Sequence, residues 1–184
     1  MEANLREHRS HAYWHAFASP VGTLFGAVDK IGRVLYLGFY EPELLAMTYE
    51  LVQNKYACGE LEFQIAQYFG GEREHFSVDV KLEGTSFQKA VWSNLGKIPY
   101  GQTLSYGEVA QKIGRRDAAR AVGNAVAANP VVIIVPCHRV LPVSGRIGNY
   151  ALRSLEGERG REIKRYLLGF ERRDELFTSS KASA

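Results

Sequence analysis

The chain has 184 residues, 46% of them hydrophobic and 23% charged, which suits one compact domain or two small ones and excludes disordered, collagen-like and coiled-coil classes. The net charge of +3 is small, but its distribution is uneven. Residues 1–84 carry 7 Lys/Arg against 12 Asp/Glu (net −5), residues 85–150 carry 8 against 2 (net +6), and residues 151–184 carry 8 against 6 (net +2).

The N-terminal stretch from Met1 to His11 is polar, so it does not read as a signal peptide. Tyr13 to Phe17, Thr23 to Val28 and Arg33 to Phe39 are rich in aromatic and β-branched residues, and turn chemistry separates them at Ser19-Pro20-Val21-Gly22 and Asp29-Lys30-Ile31-Gly32. An antiparallel meander is expected. Glu43 to Tyr56 reads as a helix with Leu44, Leu45, Leu51 and Val52 facing inward. A second helix, Glu60 to Phe69, aligns Leu61, Ile65 and Tyr68 and stops at Gly70-Gly71.

A second unit is expected from residue 84, dividing the chain into 1–83 and 84–184. Thr85-Ser86-Phe87-Gln88 fits a capping box, followed by a helix with Phe87, Val91 and Leu95 on one face. Ser105-Tyr106-Gly107-Glu108 fits another, with Gly114 as the stop. Asp117 is expected to cap a third helix, Ala118 to Ala128, and the last two helices together read as a helix-turn-helix. The third helix is made almost wholly of small residues, and Arg120 is its single long cation. It suits either close core packing or a seat against a nucleic-acid groove. Asn129-Pro130 ends it. Val131-Val132-Ile133-Ile134-Val135 then reads as a buried strand leading to Pro136-Cys137-His138-Arg139-Val140. A C-terminal helix carries Ile163, Tyr166, Leu167 and Phe170, and the last ten residues read as frayed. The expected class is α+β: an N-terminal antiparallel meander with helices, joined to a mainly helical, winged-helix-like DNA-binding unit.

Two cysteines, Cys58 and Cys137, allow at most one disulfide and favour a reducing, intracellular compartment, cytoplasmic or nuclear. No run of about eighteen apolar residues is available to cross a membrane. A basic middle third is the footprint of a polyanion partner, although a solvated basic face explains the charge alone equally well. A cysteine followed by histidine invites a nucleophile reading, because a thiol needs a base to become a thiolate at neutral pH. As a bare dipeptide it also fits a buried structural cysteine.

The context is more specific. Pro136-Cys137-His138-Arg139-Val140, Gly84-Thr85-Ser86-Phe87-Gln88, Val91-Trp92, Ile98-Pro99-Tyr100-Gly101, Ser105-Tyr106, Ala119-Arg120-Ala121-Val122-Gly123, Asn129-Pro130 and Gly148-Asn149-Tyr150 together resemble the O6-alkylguanine-DNA alkyltransferases, in that family's order. The resemblance covers residues 84–150 closely. It implies direct-reversal DNA repair, in which a cysteine accepts the alkyl group once and irreversibly. Cys137 matches the acceptor, His138 the histidine that activates it through a bound water, and Glu171 the glutamate that completes the triad. Glu158 and Glu162 are fallback matches. Tyr106 matches the tyrosine that donates to the purine ring, Asn129 the asparagine that braces the turn, and Arg120 the arginine that fills the gap left by a flipped nucleotide. Thr85, Gln88, Arg115, Ala119 and Gly123 fall with Tyr106 and Arg120 on the DNA-facing side. Val135, Pro136, Val140, Asn149 and Tyr150 match the substrate pocket. The implied partner is duplex DNA bearing O6-alkylguanine, with O4-alkylthymine a further candidate substrate, bound by a monomer or cooperatively.

Residues 151–160 are longer and more charged than the family's Gly-rich loop. Cys58, His8, His11, His15 and His75 form no recognisable zinc pattern, so neither a metal nor another cofactor is expected. Two other classes compete. A sensor of alkylated bases would lack the cysteine, and a cysteine hydrolase would turn over a small ester without needing Arg120.

Overall fold

The computed structural model describes residues 9–148, 150 and 157–173. The chain divides into two units, Met1–Glu83 and Gly84–Ala184. No helix among the described residues is long and apolar enough to cross a membrane.

In the first unit, β1 (His11–Phe17), β2 (Leu24–Asp29) and β3 (Val34–Gly38) form the expected antiparallel meander. A bulge at Ala27/Val28 shifts the register of β2 against β3. The expected helix over 43–56 is not there. A short 3₁₀ turn, Glu43–Met47, follows Pro42, and the chain then enters β4 (Glu50–Gln53), which pairs parallel with β1. The sheet order is β3-β2-β1-β4. Thr48, Tyr49 and Val52 are poor helix formers, and β1 has a free edge to offer them. Tyr49, Leu45 and Leu51 pack with Ala12 and Leu35, while Leu44, expected inside, is exposed.

One further helix, α1 (Gly59–Gly70), packs on the sheet, and Gly71 in the left-handed region ends it. It comes so close that a Cβ on Gly26 would lie 2.6 Å from Leu61 Cδ2, so that strand position admits only glycine without movement of Leu61. Cys58 is buried at the start of α1, where its thiol faces the Tyr13 and Gly26 carbonyls. Burial, with the Glu62 charge adding to it, pushes that thiol up to about 11, which keeps it protonated and inert.

The second unit contains α2 (Ser86–Leu95), α3 (Tyr106–Lys112), α4 (Ala119–Ala127) and α5 (Gly157–Arg172). Both expected capping boxes are present: Thr85 with Gln88 on α2, and Ser105 with Glu108 on α3. Asp117 is no cap. The residue at the start of α4 is Ala118, which makes no side-chain cap hydrogen bond. Trp92 ties α2 to α4 by donating its indole N–H to the Ala125 carbonyl at 2.8 Å. A two-residue parallel ladder joins β5 (Leu104–Ser105) to β6 (Val140–Leu141).

The run Val131 to Val135 is buried as expected, apart from the half-buried Ile134, but it is no strand. It coils into a turn in which Ile134 N–H donates to Val132 O and Val135 N–H to Val131 O. Ile133 sits at φ 72°, a left-handed conformation that a β-branched residue adopts only under strain. The physical reason is the competitor just upstream: the Asn129 side chain takes the backbone groups a ladder would have used. Of the stretch 151–160, residues 151–156 lie outside the described residues, as do Asn149 and 174–184; residues 157–160 begin α5.

Candidate active site and nucleic-acid interface

The strained turn delivers the chain to a 3₁₀ turn, Cys137–Arg139, whose three side chains are all buried. Cys137 is 2% exposed. Asn129 Nδ2 donates to its sulfur at 3.1 Å and to the Val135 carbonyl at 2.8 Å, while Asn129 Oδ1 accepts from Val131 N–H at 3.0 Å. Burial raises the Cys137 thiol above its ordinary value. The Asn129 amide, the Lys164 charge and the Tyr150 hydroxyl oppose that rise by favouring the thiolate.

His138 follows in sequence and is wholly buried. Its Nε2 lies 2.7 Å from Glu171 Oε1 on α5, and no protein partner among the described residues bonds its Nδ1. Burial lowers the His138 imidazole, Glu171 pulls it back, and Arg139 and Lys164 lower it further, so it rests below the usual histidine range. Burial works to raise Glu171, but the hydrogen bonds and charges of His138 and Arg139 outweigh it and hold the carboxyl well below the usual carboxylate range. Gly101, at φ 73°, turns its N–H onto Glu171 Oε2 at 3.1 Å; a Cβ there would lie 3.1 Å from the Glu171 carbonyl oxygen. Of the fallback carboxylates, Glu158 pairs with Arg161 and Glu162 is exposed, so neither joins this cluster.

Tyr106 opens α3 and is half-buried. Burial and then the neighbouring Cys137 raise its hydroxyl, so it stays protonated and able to donate. Gly123 on α4 faces its ring, and a Cβ there would touch two ring carbons at 3.9 Å. The Tyr150 ring meets that of His138 edge-on, centroids 6.3 Å apart. The Val135 and Val140 carbonyls are engaged by Asn129 and by Lys164 Nζ respectively, at 2.8 and 2.7 Å. A carbonyl has two lone pairs, so each retains a further acceptor position. Pro136 is buried immediately before the cysteine.

Arg115 and Arg120 are exposed, Ala119 is half-buried at the start of α4, and Thr85 and Gln88 use their side-chain oxygens within the α2 cap. Two buried side chains of the candidate site went unread in the sequence. Lys164 is 1% exposed and points into the site. It lies seven residues before Glu171, two helical turns away on the same face, and that spacing is the signal that marks it. Arg139 stands inside the quoted motif, but its meaning depends on Glu171, 32 residues later, to which it donates from Nε at 2.8 Å and Nη2 at 2.9 Å.

A helix-turn-helix pair in the same unit as a sequestered cysteine, with a buried histidine–glutamate pair next in sequence and space, marks the class of DNA-binding proteins that carry a candidate reactive thiol. Residues 86–173 match the family described as 6-O-methylguanine DNA methyltransferase, DNA binding domain. The methylated-DNA–protein-cysteine methyltransferase of Methanosarcina acetivorans is 41% identical over 160 residues, covering 86% of this chain and 97% of that one. The Mycobacterium tuberculosis protein of the same name is 49% identical over 143 residues, covering 75% and 83%. The crystal structure of M. tuberculosis O6-methylguanine methyltransferase superposes with a TM-score of 0.76 at 38% identity, over 88% of this chain and 93% of that chain. The M. tuberculosis OGT structure in complex with DNA gives 0.77 at 37% identity, over 90% and 98%. The chain belongs to the methylated-DNA–protein-cysteine methyltransferase family.

Proposed function

We propose that this chain repairs DNA by moving the alkyl group of O6-alkylguanine irreversibly onto the sulfur of Cys137. The observation that carries the reading is a thiol sealed from solvent, with the Asn129 amide on its sulfur and the buried His138–Glu171 pair beside it.

His138 Nε2 is committed to Glu171, so Nδ1 is the atom left to take the thiol proton, through a water as the family resemblance implies. The thiolate sulfur attacks the alkyl carbon, the S–C bond forms, and the C–O6 bond breaks with its electrons moving onto the guanine ring. Tyr106 supports that developing charge as a hydroxyl donor, and the proton that left the thiol ends on guanine. Glu171 stabilises the imidazolium in between. Because the thioether cannot release the alkyl group, each chain acts once.

The base has to leave the stack to reach a buried sulfur, and the exposure of Arg120 on α4 supports the reading that it occupies the gap. Arg115, Ala119 and Gly123 complete the face offered to DNA, with Thr85 and Gln88 at the start of α2. Pro136, Val140 and Tyr150 line the pocket for the flipped base. One chain supplies every group of the site, which suits action as a monomer.

The test is the intact mass of the protein after mixing with a duplex carrying one O6-methylguanine, followed by peptide mapping. One added methylene on the Cys137 peptide, no second turnover and no change in a Cys137→Ala variant that still binds DNA are expected. An unchanged wild-type mass with tight, lesion-selective binding would make the protein a sensor.

A further inference from the structure

Glu171 serves two partners at once. His138 Nε2 approaches Oε1 at 2.7 Å, and Arg139 grips both oxygens through Nε at 2.8 Å and Nη2 at 2.9 Å. Arg139 is itself held from behind. Its Nη1 donates to the Ile98 carbonyl at 2.6 Å, and its guanidinium lies over the Tyr100 ring, 5.7 Å from the centroid. The whole assembly is buried.

A buried carboxylate whose one cationic partner was a histidine would draw a proton onto that ring, because a sealed negative charge demands a positive one. The histidine would then rest as imidazolium, with both nitrogens occupied by protons and no lone pair for the thiol proton. Here the positive charge comes from a guanidinium that never deprotonates. The groups facing His138 are Glu171 and Lys164 from α5, Arg139 and Cys137 from its own turn, and Tyr150. Two of these are cations, and both oppose a third positive charge on the ring.

We propose that Arg139 is a positioning residue for the transfer reaction: its bidentate grip on Glu171 keeps His138 neutral at rest, so that Nδ1 can receive the proton of Cys137. The inference rests on the alkyl transfer proposed above for its role, but not for its test. The carboxylate is thereby shared, holding the ring in place through one oxygen while its charge is balanced elsewhere. A guanidinium is needed rather than an ammonium, since only a planar fork reaches both oxygens together.

The test is a pH titration of the His138 ring by NMR in the full chain, its signals identified by their loss in His138→Gln. In Arg139→Met the ring's midpoint should move up by at least about one pH unit, a tenfold or greater gain in proton affinity. Arg139→Lys, which keeps the charge but not the fork, should move it in the same direction by less. Adding Glu171→Gln to Arg139→Met should bring the midpoint back down, because the uncompensated carboxylate is then gone; the rise in Arg139→Met alone is the readout that a merely structural role would not move. The acid limb of the rate of methyl transfer from a methylated duplex should follow the same order. Should Arg139→Met fail to fold, the Arg139→Lys midpoint decides alone. A midpoint that stays at the wild-type value overturns the proposal. If the wild type transfers no methyl group at all, the reading of the reaction fails while the ring titration still decides the role of Arg139.

Discussion

The Asn129 side chain closes one turn and solvates one sulfur with the same amide. Its oxygen holds the Val131 N–H, and its nitrogen reaches the Val135 carbonyl and Cys137 Sγ. Asn129→Asp keeps the acceptor and removes the donor, setting a negative oxygen against a carbonyl and a nascent thiolate. We expect methyl transfer to slow by about two orders of magnitude or more, with stability lower by roughly 1–3 kcal/mol from the lost buried hydrogen bonds. Single-turnover transfer and urea unfolding check the two halves separately. The Cys137-His138 pair and Asn129 were legible in the sequence because they sit in short, ordered motifs. Arg139 and Lys164 were not, because a charge in a sequence has no sign of use until a distant helix supplies or withholds its partner. Glu171 was legible only through the resemblance, in which the preceding Leu167-Leu168-Gly169-Phe170 sets it apart from Glu158 and Glu162.

Helix boundaries separate local chemistry from tertiary demand. The boxes at Thr85/Gln88 and Ser105/Glu108 are local, and both formed as the sequence indicated. The start of α4 is set by the tight link from α3, in which Ala118 N–H bonds the Arg115 carbonyl, and the helix begins one residue too late for Asp117 to reach it. Ser105→Ala should therefore cost about 1 kcal/mol, the usual range for a lost cap, whereas Asp117→Ala should change stability by less than about 0.5 kcal/mol. Chemical denaturation of both variants checks this, and an Asp117 cost equal to that of Ser105 would contradict the observed cap. The two misread segments fail for the same kind of reason. Glu43 to Tyr56 lost its helix to the open edge of β1, and Val131 to Val135 lost its strand to the Asn129 amide. In both, a partner elsewhere chooses the backbone; the apolar run marks burial well in 131–135 but not at Leu44, which is exposed.

At the scale of the whole molecule, charge is segregated along the chain. The cations of residues 85–150 include Lys112, Arg115, Arg116 and Arg120, all exposed in the helix-turn-helix segment. Each phosphate they neutralise releases condensed counterions, so DNA affinity should fall steeply and linearly on a logarithmic salt scale, by about 0.9 in slope per contact. Arg115→Ala should lower that slope by about one and weaken binding to methylated and unmethylated duplexes alike. Fluorescence anisotropy across a salt series checks it, and salt-independent binding would remove the basic block from the account.

The outward residues of α4 have a consequence for what kind of reader this protein is. Ala119, Ala121 and Gly123 carry no group that can distinguish one base edge from another, which leaves Arg120 and Asn124, both exposed, as the polar side chains of that face. On the proposed docking, such a helix has a small vocabulary of two polar side chains, and it registers mainly the width and give of a groove. Damage strikes guanines in every sequence neighbourhood, and a helix with so few words is suited to patrol them with little regard to spelling.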